Sequence, residues 1–256
     1  MALKILLAGE SWISTASHIK GFDQFATATY HTGADAFVAL LEQGGMEVDW
    51  IKAHDVPKDF PTTAEALSEY DVVILSDIGA NAILLHPDTW LRSRATPNRL
   101  KALRSYVRNG GGLLMVGGYL SFQGINGTAR FKNTPVEDVL PVTIHPNDDR
   151  LEVPEGCMMS ADATHSITSG IEMASAPALL GLNEVVARDG ATVLLSTEID
   201  ENRSHPLLVI GEAGAGRTAA WTSDIGPHWM PDEFLAWPGT ATIFTRLLGW
   251  LAKRDE

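Results

Sequence analysis

Cysteine, positive charge and long apolar runs are all scarce in this sequence, and each scarcity excludes a class of protein. The single cysteine, Cys157, allows no intramolecular disulfide and no thiolate-rich metal site. The 19 Lys and Arg residues are outnumbered by 32 Asp and Glu residues, so the net charge is −13. This acidic balance argues against nucleic acid and anionic membranes as partners. Because no apolar run predicts a signal peptide or a membrane-spanning helix, we expect a cytoplasmic protein.

Glycine-rich phosphate loops and the common zinc motifs are missing as well. The sequence contains neither G-x-G-x-x-G nor G-x-x-x-x-G-K-[ST], and Gly9 stands alone after the first predicted strand. The eight histidines include no H-x-H or H-E-x-x-H pair. We therefore expect no nucleotide cofactor and no dedicated metal site. A metal would have to be assembled from distant residues such as Glu10, Asp77 and His228.

Short apolar runs bounded by turn residues predict four buried parallel strands, at 4–8, 48–51, 71–76 and 112–118. Between them, helical periodicity predicts one helix that Thr32 caps and that ends at Gly44. A second predicted helix begins at Thr96 and Pro97 and ends at Asn109. Strands that alternate with helices favour right-handed crossovers and a doubly wound parallel sheet.

The alternation of predicted strands and helices ends after about residue 120 of the chain. Three runs at 192–195, 206–210 and 217–222 follow one another too closely for crossover helices, so they predict an antiparallel extension of the sheet. The last predicted helix begins near Pro238. We therefore predict one α/β domain over residues 1–256, with three layers, a mostly parallel sheet and an irregular insertion at about 120–190.

Ligands of an open parallel sheet bind beyond the carboxyl ends of its strands, and this rule selects the candidate site residues. Ser11, Asn81 and Ser121 also follow strands, but such residues more often cap or turn the backbone. The candidates with distinctive chemistry are acids, a histidine, aromatic residues and one glycine: Glu10, Trp12, Asp77, Gly79, Tyr119, Asp224, His228 and Trp229.

The segment 109–122, which reads NGGGLLMVGGYLSF, resembles the helix, strand and elbow of the class I glutamine amidotransferase-like superfamily. More narrowly, it is similar to a bacterial group of amidotransferase-like cytoplasmic proteins. Further matches lie at 76–81, 165–171 and 216–229, in the order expected for that group. The resemblance implies a flavodoxin-like, three-layer fold.

The residues that would hydrolyse glutamine are absent, although the resemblance implies where they should be. Class I amidotransferases carry a nucleophilic cysteine in G-x-C-x-G at the elbow, activated by the histidine of an H-x-E pair. Here Tyr119 occupies the cysteine position and Ser121 the second glycine position. A phenol with a pKa near ~10 is a poor nucleophile. His228 is followed two residues later by Met230, and Cys157 lies among apolar neighbours, which favours a small buried side chain.

The first functional hypothesis is a catalytically degenerate protein that binds a small polar metabolite. Glu10, Asp77 and Asp224 would accept hydrogen bonds, while Trp12, Tyr119 and Trp229 would supply stacking surfaces. Related proteins are associated with sugar metabolism, so the resemblance implies a sugar derivative as one ligand class.

Two alternatives stay open from the sequence. One is a hydrolase of altered mechanism, in which His228 acts as base and Asp224 orients it. The other is a non-catalytic structural subunit of a homo-oligomer, whose contact uses exposed aromatic residues at 229–237.

Overall fold

A computed structural model describes residues 2–200 and 203–254 of the chain. Its strands are β1 (Lys4–Gly9), β2 (Ser11–Lys20), β3 (Asp23–Thr32), β4 (Glu47–Ile51), β5 (Val72–Ser76), β6 (Gly112–Val116), β7 (Val142–Ile144), β8 (Arg150–Cys157), β9 (Met159–Ala161), β10 (Leu179–Asn183), β11 (Val185–Ala187), β12 (Thr192–Asp200), β13 (Arg203–Ala213) and β14 (Gly216–Trp221). Its helices are α1 (Asp35–Gln43), α2 (Val56–Asp59), α3 (Ala64–Leu67), α4 (Ala80–Leu84), α5 (Pro87–Arg92), α6 (Arg99–Arg108), α7 (Asp232–Ala236) and α8 (Pro238–Leu251).

An eight-stranded sheet in the order β4-β1-β5-β6-β14-β13-β12-β9 forms the centre of the protein. The first five strands are parallel, and the remaining pairings are antiparallel. Counted along the chain, the parallel strands stand in the order 2-1-3-4-5, which is the flavodoxin-like order. The predicted fold class, including its antiparallel extension, is confirmed.

Helices cover both faces of this sheet because the central strands are apolar on both sides. Every residue of β5 and β6 is buried. On one face, α1 and α8 meet through the rings of Phe37 and Phe244, whose centroids are 4.9 Å apart. On the other face, α6 buries Leu103 and Val107 against the sheet. These two cores give the three layers.

The segment between β1 and α1 differs from the prediction. Residues expected to form a loop and a helix cap form the long hairpin β2–β3, and Thr32 is the last residue of β3. Helix α1 begins only at Asp35, without a side-chain cap. The hairpin buries almost nothing, so it lacks the alternation of apolar and polar residues by which a strand is recognised. The predicted cap at Thr96 is also displaced, because Asn98 accepts the hydrogen bond at the start of α6.

The middle of the chain is more regular than predicted. Residues 120–190 contain β7 to β11, and β9 extends the edge of the main sheet. Strands β8 and β10 pair with each other and pack on the α1 and α8 face, whereas β7 and β11 pair on the opposite face. These strands are short or bulged, so their apolar runs are too brief to predict them.

The aromatic residues at 229–237 are less exposed than the subunit hypothesis expects. Trp229 is 1% exposed and Phe234 is fully buried, whereas Trp237 is partly buried. No helix within the described part of the chain has the length and apolar character that crossing a membrane would require.

Candidate functional site

The strand order reverses between β1 and β5, so the crevice for a ligand is expected at the carboxyl ends of these two strands. The backbone is tightly turned there. Gly9 has a φ of +117°, and a Cβ on it would lie 1.8 Å from the carbonyl oxygen of Ser76, so only glycine fits. The next residue, Glu10, has a φ of +53°, and Asp77 after β5 has a φ of +40°. Both acidic residues thus occupy left-handed turns at the end of the sheet.

Glu10 is a buried acid at the centre of this region. Its side chain is held by the Ser76 hydroxyl, which donates to Oε1 over 2.5 Å. Gly33 makes room for it, since a Cβ on Gly33 would lie 2.8 Å from Oε2. Burial, followed by the negative charge of Asp77, raises the pKa of Glu10 to about 8, while hydrogen bonds from Ser76 and Asp224 oppose the rise. Glu10 is therefore mainly protonated at neutral pH.

Asp224 lies against Glu10 and is equally buried. Its Oδ1 accepts the backbone N–H groups of Ile225 at 2.7 Å and Gly226 at 3.2 Å. Burial raises the pKa of Asp224 well above its usual value, and the charges of Glu10 and Asp77 add to the rise. Asp224 in turn acts on Glu10, because its side chain lowers the pKa of Glu10 while burial and Asp77 raise it.

Asp77 completes what we call the carboxyl cluster, namely Glu10, Asp77 and Asp224. Its Oδ1 accepts the N–H of Leu120 at 2.6 Å, and its own N–H donates to the hydroxyl of Ser121 at 3.1 Å. Burial raises the pKa of Asp77, and both the Leu120 N–H and the charge of His228 oppose that rise. Asp77 thereby connects the end of β5 to the turn after β6, residues 117–121, which we call the elbow.

Four ring-bearing side chains lie in a row beside the carboxyl cluster: His31, Trp12, His228 and Tyr119. We call them the aromatic row. The His228 ring stacks on Tyr119 with centroids 5.1 Å apart and planes 21° apart, and lies 5.5 Å from the Trp12 ring. Trp12 in turn stacks on His31 at 5.2 Å. His228 is exposed and has a φ of +99°, a conformation uncommon for any residue but glycine. The row thus presents an accessible imidazole between two aromatic side chains.

Trp229 lies beneath this row rather than in it. Its ring meets Tyr119 edge-on at 5.6 Å, and its indole N–H donates to Glu152 Oε2 at 3.0 Å. A Cβ on Gly181 would lie 2.3 Å from the indole nitrogen, so glycine is needed where the ring packs. Trp229 therefore positions Tyr119 and offers no open stacking surface, because it is 1% exposed.

The structure brings six of the eight sequence-selected residues together: Glu10, Trp12, Asp77, Tyr119, Asp224 and His228. Gly79 lies apart from them, since it begins α4 and its nearest neighbours are Thr128 and Ala129. Both Asp224 and His228 are described, and no hydrogen bond or ion pair joins them. The acid whose pKa responds to the charge of His228 is Asp77.

Sequence reasoning missed the residues whose side chains hydrogen-bond the backbone at the elbow and just after it. Asn183 at the end of β10 accepts the N–H of Gly118 at 2.9 Å and donates to Asp149 at 2.9 Å. Asp149 also accepts the N–H groups of Gln123 and Gly124. A buried Asn with both amide atoms satisfied has no signal in one sequence, because its partners are distant along the chain.

Arg150 and Glu152 on β8 are two further residues that the sequence did not indicate. The Arg150 guanidinium lies 5.1 Å from the centre of the Tyr119 ring, within the range of a cation–π interaction. Burial and the nearby charge of Glu152 raise the pKa of Tyr119, and the charge of Arg150 opposes them. The phenol is thus kept protonated, so its hydroxyl can donate a hydrogen bond.

Cys157 lies at the end of β8 and is buried, as its apolar neighbours predict. Its thiol contacts the carbonyl oxygen of Leu179 at 3.4 Å, and burial raises the pKa of the thiol. A reactive cysteine requires the opposite conditions, namely exposure and a lowered pKa. Across residues 2–200 and 203–254, no group of three or more His, Cys, Asp or Glu side chains could hold a metal ion.

A family model described as "Putative glutamine amidotransferase" matches residues 4–253 of the chain. The chain belongs to this family. Two solved structures are similar to the chain over nearly its whole length. The cytoplasmic protein STM3548 from Salmonella typhimurium is 41% identical to this amidotransferase-like chain, with a TM-score of 0.92, and the match covers 97% of this chain and 99% of that one.

A second cytoplasmic protein of Salmonella typhimurium LT2, STM1381, is 42% identical to the amidotransferase-like chain over the same shares of the two chains, with a TM-score of 0.90. A ThuA-like protein from Bacteroides uniformis is 15% identical, with a TM-score of 0.57, over 99% of this chain and 93% of that one. That likeness concerns the fold alone. A search of the curated proteins finds no match to the chain.

Proposed function

We propose that this amidotransferase-like protein binds a small polyhydroxylated metabolite, such as a sugar derivative, at the carboxyl ends of β1, β5 and β6, and that it does not hydrolyse glutamine. The observation that carries the proposal is the carboxyl cluster under the aromatic row. We further propose that the protein acts in the cytoplasm, as the names of its two Salmonella relatives state for those proteins.

The protonation state of the cluster favours a hydroxylated ligand. A carboxyl group that keeps its proton both donates and accepts hydrogen bonds, as a sugar hydroxyl does. Because burial raises the pKa values of Glu10 and Asp224, the cluster attracts a cation less than three ionised carboxylates would. A neutral polar ligand therefore matches the cluster better than a cationic one.

The aromatic row would supply the second set of contacts to the ligand. Trp12 and Tyr119 flank the exposed His228, so a ligand bound beside His228 would contact aromatic side chains. Rings of this kind bury apolar surface while their polar edges stay free for hydrogen bonds. A sugar has both kinds of surface, namely C–H faces and hydroxyl edges.

The experiment is a thermal-shift screen of sugars, sugar acids, polyols and amino acids, followed by calorimetry on the compounds that raise Tm. A ligand present at 100 times its Kd should stabilise the protein by about 2.7 kcal/mol. We expect hits among the hydroxylated compounds, and we expect Asp77→Asn and Tyr119→Ala to weaken their binding at least tenfold. Glu47→Gln, which neutralises an exposed acid at the first residue of β4, should leave binding unchanged.

Two outcomes would count against this proposal. The first is a hit list confined to amino acids, which would point to a retained glutamine-type site. The second is binding that survives both site substitutions, which would place the ligand elsewhere on the molecule.

Hydrolysis of the bound metabolite is the second candidate function, and the exposed His228 beside Asp77 favours it. His228 would act as the base, with Asp77 in the orienting role that the sequence assigned to Asp224. The test is turnover of each confirmed ligand by the wild type and by His228→Ala. No product above a protein-free control would leave binding as the function, and equal product formation by both proteins would exclude His228 as the base.

A further inference from the structure

Strands β2 and β3 form a long hairpin, residues 11–32, that we call the arm. Its ladder runs from the pair Ser11 and Thr32 to the pair Lys20 and Asp23, and a two-residue turn at Gly21 and Phe22 closes it. Almost every residue of the arm is exposed. Five large apolar side chains are at least 46% exposed there: Ile13, Ile19, Phe22, Phe25 and Tyr30.

An arm of this kind is costly for a protein that works alone. A two-stranded hairpin has little stability by itself in water. Each of its strands also presents an unpaired edge, which proteins normally shorten, charge or cover. Ten residues per strand, at about 3.3 Å each, make the arm roughly 33 Å long. Its length and its exposed apolar side chains therefore indicate a surface that another molecule covers.

The two faces of the arm differ in charge. Alternation along the strands places Ile13, Ile19 and Tyr30 on one side, which we call the apolar face. The other residues of that face are small or uncharged: Thr15, Ser17, Gln24, Ala26 and Ala28. The opposite side carries His18, Lys20, Asp23 and His31, together with the rings of Trp12 and Phe25. One face is thus free of charged side chains along its whole length.

We propose that the apolar face docks against the apolar face of a second copy of this chain, so that the protein is a dimer joined through two arms. The charge distribution favours this occupant. The chain carries a net charge of −13, yet the arm contains one Lys and one Asp and is neutral. Two copies repel each other over most of their surfaces, and the arm is a place where they meet without that repulsion.

The symmetry of the arm fits the same occupant. A twofold axis brings the same face of both copies together, so the uncharged face of one arm would meet the uncharged face of the other. The apolar face holds ten of the arm's 22 residues, fewer than the roughly 20–30 that each partner contributes to a standard interface, so we expect a weak dimer. The proposal does not depend on the proposed function, although Trp12 and His31 at the base of the arm belong to the aromatic row.

Sedimentation velocity of the full chain, at concentrations from about 1 to 100 µM, tests the proposal. We expect a species of twice the 27.6 kDa chain mass. The double substitution Ile13→Glu with Ile19→Glu should shift it to the mass of one chain. The matched control, Ser14→Glu with Ala16→Glu, adds the same charge to the opposite face and should leave the dimer intact. Because salt screens the repulsion between acidic copies, the dimer should dissociate less in about 300 mM NaCl than in about 30 mM.

Two variants, each with one added cysteine, provide a second test that does not require destabilising the arm. Thr15→Cys places a thiol in the middle of the apolar face, and Cys157 is buried and does not compete. Mild oxidation should give a disulfide-linked dimer of Thr15→Cys but not of Ala16→Cys. A wild type that sediments as one chain at every concentration would overturn the proposal. So would a dimer that survives the Ile13 and Ile19 substitutions, or equal cross-linking by the two cysteine variants.

Discussion

Glu10 shows how one buried acid can make the stability of the fold depend on pH. Its pKa rises from an ordinary 4.5 to about 8 because the folded protein buries it beside Asp77. The folded state therefore holds the proton more tightly than the unfolded state. The stabilisation from that proton is complete below about pH 4.5 and is lost as the pH rises through about 8.

We therefore predict that Glu10→Gln, which keeps a neutral side chain at every pH, flattens this dependence. Between about pH 5 and 8, the free energy of unfolding of the wild type should fall relative to that of the variant by up to about 1.4 kcal/mol per pH unit. Urea titrations at several pH values measure the difference. Glu47→Gln, at an exposed acid, is the control and should follow the wild type. Parallel profiles for wild type and Glu10→Gln would mean that Glu10 is ionised in the folded protein.

The sequence resemblance places Tyr119 where class I amidotransferases carry their nucleophile, so a cysteine introduced there tests how much else is missing. We predict that Tyr119→Cys releases no ammonia from glutamine above the background of the wild type. The reason is that His228 has no glutamate two residues later, because Met230 occupies that position and is buried. An enzymatic assay for ammonia, with Tyr119→Ala as the control, tests this prediction. Measurable hydrolysis would show that a single substitution removed the activity.

At the scale of elements, the elbow depends on a hydrogen-bonded support from β10. Asn183 and Asp149 together pair the backbone N–H groups of Gly118, Gln123 and Gly124. Removing one member leaves buried polar groups without partners, at a cost of roughly 1–3 kcal/mol. We predict that Asn183→Ala lowers the free energy of unfolding by about that amount and also weakens ligand binding through Tyr119. Denaturant titration and calorimetry measure the two effects.

Asn147 provides the matched control for this prediction, because it is an exposed asparagine two residues before Asp149. Asn147→Ala should change neither stability nor binding. If Asn183→Ala destabilised the protein but bound the ligand normally, the support would belong to the fold and not to the site.

How well each element could be predicted follows from how much of it is buried. Strands β5 and β6 are apolar throughout because both faces are covered, and their prediction is confirmed within two residues at each end. The sequence of the arm contains no such apolar pattern, because neither of its faces is buried. Helix starts were misplaced where a different residue caps the helix, as Asn98 does in place of Thr96. Hydrophobic patterns in the sequence therefore predict buried elements but not exposed ones.

The candidate site follows the same division. Glu10 and Asp77 could be selected because each directly follows a buried strand, and the topology brings those strand ends together. Asn183, Asp149 and Arg150 could not be selected, because their roles depend on pairings between distant parts of the chain. The surroundings of Asp224 were also beyond the sequence, since the charges that act on it are those of Glu10 and Asp77.

At the scale of the whole molecule, the central sheet interleaves the two ends of the chain. Strand β6 from the first half pairs with β14 from the last fifth, and both cores contain residues from both halves. Neither half could bury its apolar surface without the other. The sheet therefore favours the single domain that the sequence predicts, even though the middle segment forms two small sheets of its own.

We predict from this interleaving that the chain unfolds in one cooperative transition. Scanning calorimetry should give equal calorimetric and van't Hoff enthalpies, and far-ultraviolet circular dichroism should coincide with tryptophan fluorescence in urea. A fragment of residues 1–120 should fail to fold, because β6 would lose β14 and expose one edge of the parallel sheet. Shortening the arm by residues 14–29, with an Asn-Gly turn in their place, should leave the transition intact, since those residues contribute almost nothing to either core. Two separate transitions would instead divide the chain into independently folding units.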